Sequence, residues 1–275
     1  MKTLTLGYSI CPNDTFIFYA MVHGRVDTKN LHFKEVLLDV EALNQKALSN
    51  ELDLTKVSYH AFGHLRKNYC LLRAGGALGR GCGPLLVANK ECSMDELKDK
   101  RIAIPGKLTT AYLLLQLFAP ELKDVVSMPF NQIMDAVKNN EVAAGLVIHE
   151  GRFTYHSYGL IKIIDLGEWW EKETGLPLPL GGIVARRSLG EALNKKINKI
   201  VRKSVEYALS HRDEPLNYIK QHSQELSDEV LSQHIALYVN DYSIDIGEDG
   251  EKAVRELLLR AEEAGVIPKA KGEIF

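Results

Sequence analysis

The chain has 275 residues, 45% hydrophobic and 25% charged, a balance that suits a soluble globular protein of two modest lobes and excludes a disordered or fibrous one. A formal net charge of -2 and a pI near 6.5 provide no basic field for nucleic acid or an anionic membrane, so a small molecule is the expected partner. The N-terminal MKTLTLGYSICPND lacks the apolar core of a signal peptide, and no run approaches the roughly 20 apolar residues of a membrane span, which predicts a cytoplasmic protein.

Leu4, Leu6 and Tyr8 alternate as in a strand that stops at Ser9. Pro12 stiffens the turn, and Asn13 or Asp14 is a good N-cap for the apolar helical run Phe16 to Val22. Ser9, Cys11, Asn13, Asp14 and Thr15 therefore belong to the carboxyl edge of a sheet, where open α/β folds hold small ligands. An ordinary capped turn would read the same way. Strands and helices then alternate: Leu31 to Leu38 with Val40 to Leu48, Leu52 to Ser58 with a short helix, and Arg101 to Ile104 with Thr109 to Phe118. This order predicts α/β topology with parallel strands. Past Ser188 the pattern is helical only, with runs at Leu189 to His211, Pro215 to His222, Asp228 to Val239 and Glu248 to Ala264. Amphipathic helices need an apolar surface to cover, so this quarter is expected to fold back onto the first lobe.

Two segments read as crossings between lobes. One is Gly75 to Pro84 with the strand Leu85 to Asn89, and the other is Leu180 to Ala185. They divide the chain into a discontinuous first lobe, residues 1–88 plus 186–275, and a second lobe, residues 89–185, with the ligand in the cleft between them. GGALGRGCG, Gly75 to Gly83, leads into a strand and so fails as a dinucleotide fingerprint. Whether its Arg80 reaches the cleft is open. Gly106-Lys107 is not a phosphate loop, since Arg101 stands where the first glycine is required and Leu108 follows the lysine.

Candidate site residues collect at predicted strand ends. His149 closes the apolar run AAGLVI, where a neutral imidazole can take up a proton near pH 7. Its neighbour Glu150 is either an orienting carboxylate or a solvated charge. Lys56, Val57 and Ser58 end the run LDLTKVS and offer a hydroxyl and backbone amides, with an N-cap role for Ser58 as the structural alternative. Thr109 and Thr110 open a helix, so their hydroxyls and amides sit at its positive end, where an acidic group is the natural occupant. Asn13 and Asp14 are plausible secondary contacts. Trp169, Trp170, Tyr155 and Tyr158 are assigned to packing. Cys11, Cys70, Cys82 and Cys92 contain no CxxC pair, which fits reduced thiols and no structural zinc, and Cys11 reads as a small buried thiol.

The segment CPNDTFIFY, Cys11 to Tyr19, resembles the N-terminal signature of 1,4-dihydroxy-6-naphthoate synthases, enzymes of the futalosine route to menaquinone. The resemblance continues in order through LTKVSY (Leu54 to Tyr59), GGALGRG (Gly75 to Gly81), Thr109-Thr110, GLVIHE (Gly145 to Glu150) and GLPLPLG (Gly175 to Gly181). Ile10 departs from it where a second proline would stand. The resemblance implies a two-lobed periplasmic-binding-protein-like fold of the second type. It also implies a cofactor-independent lyase, with His149 as base, that converts cyclic dehypoxanthinyl futalosine to 1,4-dihydroxy-6-naphthoate. The alternatives are a non-catalytic binding protein for a small carboxylate, against which the missing export signal speaks, and a chorismate dehydratase, against which CPNDTF and HEG speak.

Overall fold

The computed structural model describes residues 2–223 and 227–275. In chain order the first portion forms β1 (Lys2–Ser9), α1 (Pro12–Val22), β2 (Leu31–Leu38), α2 (Val40–Leu48), β3 (Leu54–Ser58), α3 (Tyr59–Leu65), β4 (Tyr69–Leu71) and β5 (Ala77–Gly79). The middle follows with β6 (Leu85–Ala88), α4 (Met94–Leu97), β7 (Ile102–Ile104), α5 (Thr110–Phe118), β8 (Val125–Ser127), α6 (Ile133–Lys138), β9 (Ala144–Val147), α7 (Gly151–Thr154), β10 (Ile161–Asp165) and α8 (Leu166–Thr174). β11 (Leu178–Arg186) then leads to α9 (Glu191–Ser210), α10 (Leu216–His222), α11 (Asp228–Tyr238), α12 (Asp241–Ile244) and α13 (Gly247–Glu263).

These strands make two sheets of matching design. The first runs β2-β1-β3-β11-β4, with β5 also on β11, and the second runs β10-β6-β9-β7-β8. In each, three strands are parallel: β2, β1 and β3 in one, β8, β7 and β9 in the other. Next to the third lies one antiparallel strand, β11 in the first sheet and β6 in the second. That strand is the one on which the chain enters the sheet from the other lobe. The fold is therefore α/β and two-lobed, with its ligand cleft between the carboxyl edges of the two parallel sets.

The pairing moves both expected divisions upstream. Leu85–Ala88 pairs with β9 and β10, and Leu178–Arg186 pairs with β3 and β4, so the sheets change hands near residues 84 and 178 instead of 88 and 186. A crossing strand bonds to the sheet it enters, and composition alone does not reveal which sheet that is. The turn after β1 also differs from expectation. α1 begins at Pro12 with Cys11 as N-cap, and no side chain caps it. Proline is preorganised for the first helical position and has no amide to leave unpaired, which frees Asn13 and Asp14 for longer-range bonds.

The C-terminal helices cover the first sheet. Ile197, Val201 and Val205 of α9 and Leu231 and Ile235 of α11 share one core with Leu6, Phe16 and Phe18. Another core runs from Tyr59, Phe62 and Leu257 through Leu113 and Leu114 to Leu86 and Trp170, so apolar packing is continuous across the lobes on the α3, α5 and α13 side. Trp170 is fully buried, with its indole N–H on Pro177 O at 3.0 Å, and Tyr155 lies in the second lobe's own core. At the crossing, Gly83 meets Gly167 so closely that a Cβ on Gly83 would sit 2.2 Å from the Gly167 nitrogen. Arg152 fastens the same place, donating to Gly83 O and pairing with the buried Asp165 carboxylate at 2.6 Å.

Candidate active site

The predicted site residues line one cavity. Asn13, Asp14, Lys56, Val57 and Ser58 come from the first lobe, Thr109, Thr110 and His149 from the second, and Tyr238 of α11 closes it. The inner cavity measures about 90 Å³; an outer chamber of about 410 Å³ adjoins it through the shared residues Val40 and Ile148.

His149 lies two residues beyond β9 and takes the left-handed conformation, with φ 55°. For a residue other than glycine this backbone is sparsely populated and is held only where the surroundings impose it. Arg152 N bonds back to His149 O at 3.3 Å as α7 begins. The ring sits edge-on to Phe130, with centroids 4.9 Å apart. On its other side the Cys11 sulfur approaches Nδ1 at 3.5 Å and Nε2 at 3.7 Å. The dehydrating surroundings lower the His149 pKa from its ordinary value, opposed by the Glu150 and Asp14 charges. The imidazole is therefore neutral and able to accept a proton at pH 7. Burial, with a further contribution from the Glu150 charge, pushes the Cys11 thiol well up, so it stays protonated.

Asp14 and Lys56 form a buried ion pair, Nζ to Oδ1 2.9 Å, with side chains 2% and 6% exposed. Lys56 also donates to Gly75 O at 3.3 Å. Asp14 Oδ1 accepts a second bond from Asn13 Nδ2 at 2.9 Å, and Oδ2 accepts from the Ser9 amide at 3.1 Å and the Ser9 hydroxyl at 2.8 Å. All these donors make the carboxylate a structural acceptor at the cavity floor. Lys56 is likewise committed to its partners, although its ammonium carries three protons.

The three hydroxyls are not equivalent. Ser58 Oγ accepts from Asn44 Nδ2 at 3.2 Å while Ser58 N donates to Asn44 Oδ1 at 3.0 Å, which leaves the Ser58 hydroxyl proton free for a ligand. Thr109 Oγ1 caps α5, accepting from Tyr112 N at 3.3 Å and donating to Gly106 O at 2.8 Å. Thr110 Oγ1 accepts from Tyr59 N at 2.9 Å and donates to Leu180 O at 2.6 Å, joining the two lobes. At this helix end the donors left for an acidic group are backbone amides of the first turn, including those of Thr110 and Ala111. Arg80 points elsewhere, to Gly175 O at 2.8 Å and Glu171 at 3.7 Å.

Asn44 and His234 escaped the sequence reading, although both carry a signal. Asn44 follows Val40 by four residues, and His234 is spaced with Leu231 and Tyr238 on the apolar face of α11, so each is a polar residue inside a helical core stripe. His234 is 0% exposed and its Nε2 lies 2.9 Å from Asn13 Oδ1.

The model of a menaquinone-biosynthesis family matches residues 4–263. The chain belongs to this family. Among its relatives, a 1,4-dihydroxy-6-naphthoate synthase of Thermus thermophilus is 51% identical over the whole of both chains. One of Streptomyces coelicolor is 46% identical over 97% of this chain and 95% of its own. A solved protein of Archaeoglobus fulgidus, 40% identical, superposes with a TM-score of 0.91 over 96% of this chain and 98% of its own. The wider likeness is one of fold alone. A Candida albicans protein described as having the generic periplasmic binding protein fold is 16% identical, with a TM-score of 0.70 over 98% and 92% of the two chains. The chain is thus an enzyme of menaquinone biosynthesis built on a binding-protein fold. Among the described residues no helix is long and apolar enough to cross a membrane.

Proposed function

We propose that this family member is a cytoplasmic 1,4-dihydroxy-6-naphthoate synthase acting on cyclic dehypoxanthinyl futalosine, with His149 as general base. The observation that carries the reading is His149 itself, a neutral imidazole held in a strained conformation at the wall of a cavity whose other carboxylate and ammonium are already paired. The substrate carboxylate is assigned to the first-turn amides of α5 and the Ser58 hydroxyl. His149 takes an acidic proton, the ring system fragments with loss of a three-carbon sugar piece, and formation of the aromatic product supplies the driving force. No cofactor enters this scheme, because the step needs a base and a water-poor site. The inner cavity is smaller than the roughly 300 Å³ usual for small-molecule sites, so the scheme has the substrate reach into the outer chamber.

The test is single-turnover product formation by wild type and His149→Asn, followed by the product's ultraviolet absorbance, beside calorimetric binding of the same substrate. His149→Asn should bind substrate and lose about two to four decades in rate. A variant that turns over like wild type removes His149 as base, and a wild type that binds without forming product supports the solute-binding alternative.

A further inference from the structure

His234 is a buried titratable group beside the site that the proposed chemistry does not use. It is wholly inaccessible, and its Nδ1 has no hydrogen-bond partner. Its proton can be placed by elimination. The Asp14 carboxylate only accepts, so the Asn13 group 2.9 Å from Oδ1 is the amide nitrogen, and the Asn13 oxygen faces His234. That oxygen also only accepts. His234 Nε2 must therefore carry the hydrogen, and Nδ1 is the bare nitrogen.

We propose that His234 is a positioning residue, a neutral Nε2–H imidazole that locks the Asn13 amide and through it the Asp14–Lys56 pair at the cavity floor. The chain of donation runs from His234 to Asn13, from Asn13 to Asp14 Oδ1, and from Lys56 to the same oxygen. Each link fixes the orientation of the next, so four residues from α11, α1 and β3 present one arrangement to the ligand. Without the His234 donor, Asn13 would have a buried carbonyl oxygen unpaired, and its amide would be held only through Asp14. The ring is surrounded by groups that keep it neutral. His149 approaches from the second lobe, ring centroids 6.2 Å apart, and Tyr238 packs against it at 4.6 Å on its own helix. Burial opposes its protonation, and a proton taken up by His149 would oppose it further. The role rests on the functional reading above, because the ligand is that reaction's substrate.

The experiment combines steady-state kinetics with nitrogen NMR of histidine-labelled protein. His234→Leu should raise KM about tenfold with a smaller change in kcat, as expected for losing one oriented hydrogen bond. Gln at 234 places an amide N–H where the imidazole had its own, so His234→Gln should recover most of that loss. Coupling is read from a double-mutant cycle: His234→Leu added to Asn13→Ala should cost little beyond Asn13→Ala alone. The wild-type spectrum should show a neutral Nε2–H tautomer that does not titrate between about pH 5 and 8. Additive losses, failure of Gln to rescue, a proton on Nδ1, or an acid limb of kcat/KM that moves in His234→Gln would each overturn the assignment. If wild type forms no product the functional reading fails, while the spectrum still decides the tautomer; if His234→Leu does not fold, His234→Gln and the spectrum decide.

Discussion

The Cys11 sulfur lies 3.5 Å from Nδ1 of His149, reaching across from the end of β1 to the end of β9. It is the point where the two lobes bring their loops together at the proposed chemistry. Because burial keeps the thiol protonated, it is a weak hydrogen-bonding neighbour of the imidazole and not a thiolate partner. Cys11→Ala should therefore change single-turnover rate by less than about tenfold, whereas removing a nucleophile costs several decades. A loss of that larger size, with binding retained, would assign covalent chemistry to Cys11.

The pH profile should carry the stamp of the buried imidazole. His149 titrates below the ordinary histidine value of about 6.5, so kcat/KM should hold through neutrality and fall only as pH drops past that value. Glu150 works in the opposite direction, since its negative charge stabilises the imidazolium. Glu150→Gln should lower the His149 pKa and move the acid limb to still lower pH. A limb that moves upward contradicts that sign.

Ser58 and Thr109 should separate binding from stability. Ser58→Ala removes a hydroxyl with a free proton, and substrate affinity should drop by about one to two decades if that proton meets a carboxylate. Thr109→Ala removes the N-cap of α5 and should cost about 1 kcal/mol in urea denaturation. The first-turn amides proposed as the anchor remain, so the direct loss of affinity should be smaller than for Ser58→Ala. Reversed effects would return the anchoring role to the threonine hydroxyl.

Breaking the buried pair should be expensive. Asp14→Ala leaves the Lys56 ammonium in a site only 6% exposed, with Gly75 O as its remaining acceptor among the described residues. The expected destabilisation is about 3–5 kcal/mol, visible as an earlier chemical unfolding midpoint. A midpoint within experimental error of wild type would mean the ammonium is rehydrated through the cleft.

At the lobe crossing, Gly83→Ala places a methyl group against the Gly167 backbone, 2.2 Å from its nitrogen. Neither partner is a flexible side-chain end, so the crossing must shift, and the Arg152–Gly83 bond shifts with it. Thermal stability and turnover should both fall. An unperturbed melting temperature would show that the crossing has slack.

Much of the architecture was legible along the chain, because hydrophobic period and turn chemistry are local. β2, α2 and β3 formed within a residue or two of where alternation and helical spacing put them, and the C-terminal helices followed from their apolar stripes. His149, Lys56 and Ser58 at strand ends, and Asn13, Asp14, Thr109 and Thr110 at the helix starts that follow strands, likewise line one cavity, since parallel strands bring their carboxyl ends to a common edge. What each group does there was decided by tertiary structure. Asp14 became the partner of Lys56, 42 residues away, and the Thr110 hydroxyl was taken by Leu180 O, 70 residues away. Asn44 and His234 acquired their roles from Ser58 and Asn13 across the fold. A residue's type states which hydrogen bonds it can make, and folding decides which of them are already made and which are left for a ligand.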